Sequence, residues 1–258
     1  MPNPRIICGS AQSVGKVRKQ NEDALFLMQV TLAEQESQIP FGIFIIADGM
    51  GGHEHGEIAS QISTRVMSSH LINELFAPLI GANNDANEKT IRQVLSDGLA
   101  EVQTAVQEYA PGGGTTLTTL VIMGNMMATV HIGDSRGYFI DLNGDVEQIT
   151  HDHSVVQQLI DDGTITEQQA INYPQKNVLY QAVGQMGALE PDIRILDLPS
   201  SGTILLCSDG LWGELSDKEI VEVINAESNP LSIAEELMEL ANQAGGKDNI
   251  SAIVIKIQ

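Results

Sequence analysis

The strongest constraint on the fold is a set of short apolar runs in which hydrophobic residues do not alternate with polar ones. Phe41-Gly-Ile-Phe-Ile-Ile-Ala47 is the longest; Thr203 to Cys207 is a second, and the chain closes on the apolar, β-branched Ile250-Ser-Ala-Ile-Val-Ile-Lys-Ile257. Runs of this length suit strands covered on both faces, which requires a sheet stacked inside other layers. Only 4% of the residues are aromatic, so the core between those layers is expected to be aliphatic.

Further strands are expected over 5–10, 23–30, 115–123, 127–133, 137–142 and 146–150, with Asn143-Gly144 as a hairpin turn. Two amphipathic helices are expected to interrupt them. In the first, Ile58, Ile62, Val66 and His70 recur every fourth residue, with Ala59, Met67, Leu71 and Leu75 alongside. In the second, Ile91, Val94, Leu95, Leu99, Val102 and Val106 form the stripe, and Pro111-Gly-Gly-Gly114 ends it. Residues 78–87 read as a polar loop. The stretch 153–185 changes character and reads as a helical insertion over one sheet edge, with Thr166 capping a short helix. Helices over 216–224 and 232–244 each begin on a serine cap. This order argues for an α+β fold of two antiparallel sheets packed face to face with helices outside, in one domain spanning 1–258.

Aspartates gather at the ends of these strands. Asp48 follows the 41–47 run, Asp209 the 203–207 run and Asp134 the strand before Gly133, while Asp248 precedes the last strand and Asp23 opens the second. A single Asp-Gly is ordinarily a turn. Repeated at strand ends that share a rim, such carboxylates would repel one another and raise one another's pKa unless a cation lay among them. Oxygen ligands favour Mg²⁺ or Mn²⁺ over zinc, and no His/Cys set competes. The glycine after Asp48 lets a main-chain carbonyl approach a metal closely. Two such metals could share a water and clamp a phosphate ester for in-line hydrolysis. Arg18 is the candidate for orienting the phosphate, although by position alone it reads as a solvated surface charge.

Other functions are disfavoured. A net charge of −21 is wrong for nucleic acid or an anionic membrane. No apolar run nears the ~20 residues of a membrane helix, and no signal-like segment follows Met1 to Arg5, so a cytoplasmic location is expected. Cys8 and Cys207 are expected to be reduced thiols.

Taken together, the motifs Gly15-Lys-Val-Arg-Lys-Gln-Asn-Glu-Asp-Ala24, Ala47-Asp-Gly-Met-Gly-Gly-His53, Gly113-Gly-Thr-Thr116, His131-Ile-Gly-Asp-Ser-Arg136, Ile149-Thr-His-Asp-His-Ser154, Leu206-Cys-Ser-Asp-Gly-Leu211 and Gly246-Lys-Asp-Asn-Ile250 resemble those of the metal-dependent protein phosphatases, the type 2C (PPM) family, in its bacterial form. The resemblance runs from about residue 7 to 257. It implies a four-layer α-β-β-α sandwich with metals at one rim, hydrolysis of phosphoserine and phosphothreonine by a metal-bridging water, and no phosphoenzyme. By the same resemblance, Asp48 bridges two divalent metals, Mn²⁺ or Mg²⁺, and Gly49 offers a main-chain carbonyl to the second. Asp209 and Asp248 hold the first metal, and Glu22 and Asp23 contact the second, mostly through water. Asp134 serves a third, weaker site shared with Asp209, with Asp152 a lesser contributor. Arg18 binds the phosphate, and 153–185 becomes a flap shaping substrate access. Partners implied are phosphoserine and phosphothreonine proteins and an opposing Ser/Thr kinase, with the enzyme itself a monomer.

Two departures bear on chemistry. Met50 stands where animal members carry a general-acid histidine, which leaves the proton donor open between a metal-bound water and His53, itself also readable as an inert loop histidine. In the flap, Pro174-Gln-Lys176 offers a lysine where the family often has arginine. His55, His131, His151 and His153 read as structural. The rivals to an active phosphatase are a pseudoenzyme that only binds a phosphoprotein or kinase, and a metal nuclease, which the charge disfavours.

Overall fold

In the computed structural model, residues 4–34, 37–50, 54–81, 90–170, 173–175 and 177–258 are described. His53 and Lys176 lie outside them.

The doubly apolar runs become interior strands. The strands are β1 (Ile6–Ser13), β2 (Asp23–Glu34), β3 (Ser37–Met50), β4 (Gly114–Thr115), β5 (Leu117–Met123), β6 (Met126–Ile132), β7 (Arg136–Ile140), β8 (Val146–Gln148), β9 (Asp192–Asp197), β10 (Gly202–Cys207) and β11 (Ile250–Ile257). One antiparallel sheet has the order β1-β11-β10-β7-β8. The other runs β2-β3-β5-β6-β9, with β4 paired to β3. Helices flank them: α1 (Glu54–Leu71), running through a π-helical turn Ile72–Phe76 into α2 (Ala77–Leu79), then α3 (Ile91–Tyr109), α4 (Val155–Asp161), α5 (Glu167–Ala170), α6 (Asp209–Trp212), α7 (Asp217–Ala226) and α8 (Pro230–Ala244).

Strand alternation divides the core into layers. Phe41, Ile43, Ile45 and Ala47 of β3 pack with α1 and α3, while Phe44 and Ile46 point to the other sheet. Likewise Leu205 and Cys207 of β10 pack with α7 and α8, whereas Ile204 and Leu206 face between the sheets. This is the expected four-layer α-β-β-α arrangement. Each fully buried Ile or Phe of the middle layer contributes roughly 1.5–3 kcal/mol of burial.

Several details differ from expectation. On α1 the fully buried positions are Ala59, Ser60, Ser63, Met67 and Leu71, while Ile58 is 39% exposed, so the inward stripe is turned by one position. The cap of α8 is Asn229, whose side chain accepts from Leu231 N, and Pro230 occupies the first turn; Ser232 lies inside the helix. Ser216 does cap α7, in a capping box with Glu219. Thr166 caps α5 as expected, accepting from Gln169 N at 3.3 Å. The β2–β3 hairpin extends four residues beyond the expected end of β2, with Thr31 opposite Pro40 and Leu32 opposite Ile39.

Two glycines allow the loops at one rim to touch. A Cβ on Gly49 would stand 2.3 Å from Gly56 O and 2.6 Å from Glu22 O; one on Gly210 would stand 2.0 Å from Asn249 O. These are main-chain atoms, which cannot swing aside. Gly210→Ala is therefore expected to destabilise the protein by about 1–3 kcal/mol, read as a lower urea midpoint with unchanged slope.

Candidate active site

β-Sheet register sets the first carboxylates together. Asp23 and Asp48 are directly opposed across β2 and β3. The main chain of Asp48 is fixed from the far side: Thr116 N and Thr115 Oγ1 each donate to Asp48 O at 2.9 Å, and Asp48 N donates to Thr116 Oγ1 at 2.9 Å. Glu22 is held by its backbone, with its N–H donating to Asn249 Oδ1 at 2.8 Å and its carbonyl accepting from Gly49 N at 3.2 Å.

The second sheet brings the rest. Asp209 starts α6 directly after β10, and Asp248 lies two residues before β11. Ser208, just after β10, and Ser251, on the neighbouring β11, both donate to Asp23 Oδ2, at 2.8 and 2.6 Å. The two sheets are thereby joined through the Asp23 carboxylate. Asp248 Oδ1 accepts from Asn249 N at 2.8 Å, and Oδ2 accepts from Arg18 Nη2 at 2.6 Å. Arg18 is half exposed and sits on a loop docked by Lys16 N donating to Gly246 O, and by Asn249 Nδ2 donating to Val14 O and Gln20 O.

Asp134 is buried, and its carbonyl accepts from Trp212 Nε1 at 3.0 Å. The Trp212 ring carries the Arg136 guanidinium at 3.7 Å. Arg136 Nε and Nη2 in turn grip the buried Asp152, and Gln148 Nε2 donates to Asp152 Oδ1 at 2.8 Å. The Asp152 carboxylate is thus neutralised by a bidentate arginine.

The electrostatics follow from this crowding. Burial, then the charges of Asp23, Asp209, Asp134 and Asp248, hold the Asp48 carboxyl well above the usual carboxylate range. Burial first, with Asp209 and Asp152 adding, pushes Asp134 up to about 8. Asp23 is pushed up to about 7 by burial against the opposing help of its two serines, and Asp209 to about 6 by burial and Asp248. Asp23 Oδ1 and Asp209 Oδ1 are buried with no donor. Orphaned, hard, negatively charged oxygens of this kind fit a divalent cation. Among the described residues, no three His, Cys, Asp or Glu side chains converge closely enough to hold an ion unaided. Main-chain oxygen and water would have to complete a shell, as is usual for Mg²⁺.

His131 and His153 belong to the scaffold. His131 on β6 engages Thr118 Oγ1 through Nδ1 at 2.8 Å and Gly133 O through Nε2 at 3.0 Å, and burial pulls its pKa down to about 3. His153 Nδ1 accepts from Gly133 N. Sequence reasoning gave no role to Ser208, Ser251, Asn249, Thr115, Thr116 or Arg136. All but Ser251 stood inside the motifs quoted above, and that placement was the available signal.

Raised aspartate pKa values have a definite sign. Without a cation, the folded chain holds protons that the unfolded chain has released, so this part of the stability is full below about pH 4 and is lost as pH rises towards about 8. In chelator, Asp134→Asn should raise the melting temperature by several degrees at pH 8 and by clearly less at pH 5. Equal shifts at both pH values in differential scanning calorimetry would refute the charge-crowding account.

Residues 16–253 match the family model for Protein phosphatase 2C. The serine/threonine phosphatase stp of Listeria innocua is 32% identical over 243 residues, covering 94% of this chain and 92% of its own. The structure of the S. agalactiae serine/threonine phosphatase superposes with a TM-score of 0.82 at 29% identity, over 98% of this chain and 100% of that one. The catalytic domain of the serine threonine protein phosphatase PstP, solved in complex with 2 manganese ions, gives a TM-score of 0.75 at 30% identity, over 98% of each chain.

Proposed function

The chain belongs to the protein phosphatase 2C family and is a serine/threonine protein phosphatase, and we propose that its aspartate rim holds two divalent cations, Mn²⁺ or Mg²⁺, at which phosphoserine and phosphothreonine side chains are hydrolysed. One observation carries this reading: aspartates from both sheets converge on Asp48, and two of their buried oxygens lack any donor. The relative solved with two manganese ions supports the metal count. The whole of 1–258 acts in this reading as one catalytic domain, with 153–185 as its flap.

When bound, the cations supply a water of lowered pKa and a clamp on the phosphate oxygens. The chain's own residues do the rest. Asp48, flanked by the other carboxylates, would be the residue shared by both cations. Gly49 would contribute its main-chain carbonyl, Asp209 and Asp248 would hold the first cation, and Asp23 and Glu22 would contact the second. Asp134, beside Asp209, would serve a third, weaker site. Arg18, on its docked loop beside Asp248, would offer its planar fork to the phosphate and orient it for in-line attack. Neither cysteine is suited to be a nucleophile, because burial raises the pKa of both Cys8 and Cys207. A phosphoenzyme through sulfur is therefore disfavoured, and water is the attacking group. The partners in this reading are phosphoproteins, with a Ser/Thr kinase supplying the phosphate. Among the described residues, no helix is long and apolar enough to cross a membrane.

Turnover of p-nitrophenyl phosphate and of a phosphothreonine peptide should vanish in EDTA and return with Mn²⁺ or Mg²⁺. Asp48→Ala should remove both turnover and Mn²⁺ binding by calorimetry while leaving circular dichroism unchanged; near-normal turnover in that variant would sink the metal assignment. Arg18→Ala should raise KM roughly ten- to hundredfold, as for loss of a charged hydrogen bond. An unchanged KM would remove Arg18 from the phosphate site.

A further inference from the structure

The segment 153–185 returns to the body of the protein through a short, closely tied passage. Val183 pairs with Thr115 in both directions, Thr115 N donating to Val183 O at 3.0 Å and Val183 N to Thr115 O at 2.9 Å. The chain then turns. Gly184 has φ +93°, and a Cβ there would stand 2.5 Å from Gly113 O. Ala182 N donates to Gln185 Oε1 at 3.2 Å across the turn.

Helix α3 grips this turn from outside. The Gln103 side chain accepts from Gly184 N at 2.7 Å and donates to Gln185 O at 2.7 Å. Gln107, one helical turn on, donates to the same carbonyl at 3.0 Å. A primary amide carries its acceptor oxygen and its donor nitrogen on separate atoms, so it can accept from one peptide and donate to the next at once. From this turn the contacts lead inward. Val183 is bound to Thr115, and Thr115 Oγ1 donates to Asp48 O at 2.9 Å.

We infer that Gln103 is a positioning residue, which clamps the return of the 153–185 segment onto α3 and so fixes how that segment stands over the rim for a phosphoprotein substrate. The inference rests on the phosphatase reading of that rim. Gln103 touches neither the carboxylates nor Arg18 and has no part in the chemical step. Its contribution falls on substrates long enough to reach the segment. The Thr115–Val183 pairing does not depend on the clamp, so Asp48 keeps its place when Gln103 is lost.

The test compares two substrates in the full chain with saturating Mn²⁺. Gln103→Ala should raise KM for a phosphothreonine peptide about five- to tenfold, the equivalent of one or two neutral hydrogen bonds, and leave kcat for p-nitrophenyl phosphate within twofold. Gln107→Ala should move the peptide KM in the same direction by less. Hydrogen exchange of amides 178–187 should quicken in Gln103→Ala while exchange in β3 and β5 is unchanged. Equal losses on both substrates would mean a merely structural role and overturn the inference, as would a peptide KM that does not change. Failure of the phosphatase reading itself is read separately, as absence of metal-dependent turnover in the unmodified protein.

Discussion

Mutual repulsion among carboxylates is the constraint around which this rim is built. Asp23 and Asp48 oppose each other across adjacent strands, an arrangement that is unfavourable for like charges. Asp134, Asp209 and Asp248 add to it. Such a cluster survives only if the scaffold is stiff enough to refuse relaxation. Three of these groups are fixed by neighbours that carry no charge: Thr115 and Thr116 on the Asp48 backbone, Ser208 and Ser251 on the Asp23 carboxylate, Trp212 on the Asp134 carbonyl.

The same stiffness explains the division of labour between the sheets. Each sheet contributes part of the rim, and the middle hydrophobic layer holds the parts at constant separation. Phe44 and Ile46 from one sheet meet Ile204, Leu206 and Ile253 from the other. Close-packed interiors of this kind do not deform continuously, so the spacing of the carboxylates is set by aliphatic packing a few residues below them. The glycines at 49 and 210 then let the loops above approach to main-chain contact.

What the sequence made legible follows from locality. The interior strands were readable because burial on both faces leaves them mostly apolar, and the five aspartates because they lie at strand ends. Strand β9 was not readable. It lies at a sheet edge, carries Asp192, Arg194 and Asp197, and leaves Ile195 and Leu196 40% and 38% exposed, so no apolar pattern marks it. The cap of α8 was misplaced because Ser232 and Asn229 are both acceptable caps, and Pro230 tips the choice to the earlier start. The pairing of Arg18 with Asp248 joins residues 230 apart, and the Asn249 amide ties Val14 and Gln20 to the far end of the chain. No local pattern encodes contacts of that separation; only the topology creates them.

That topology also orders events in time. β1 finds its hydrogen-bonded neighbour in β11, with Ile6 facing Ile257, and the Arg18 loop docks on Gly246 and Asn249. Ribosomes deliver residues from the amino end. A nascent polypeptide can display Asp48 and Asp134 long before Asp209 and Asp248 exist, while its first strand and the Arg18 loop have nowhere to settle. The sheet that carries Asp209 and Asp248 therefore cannot close until β11 has been made and β1 can pair with it.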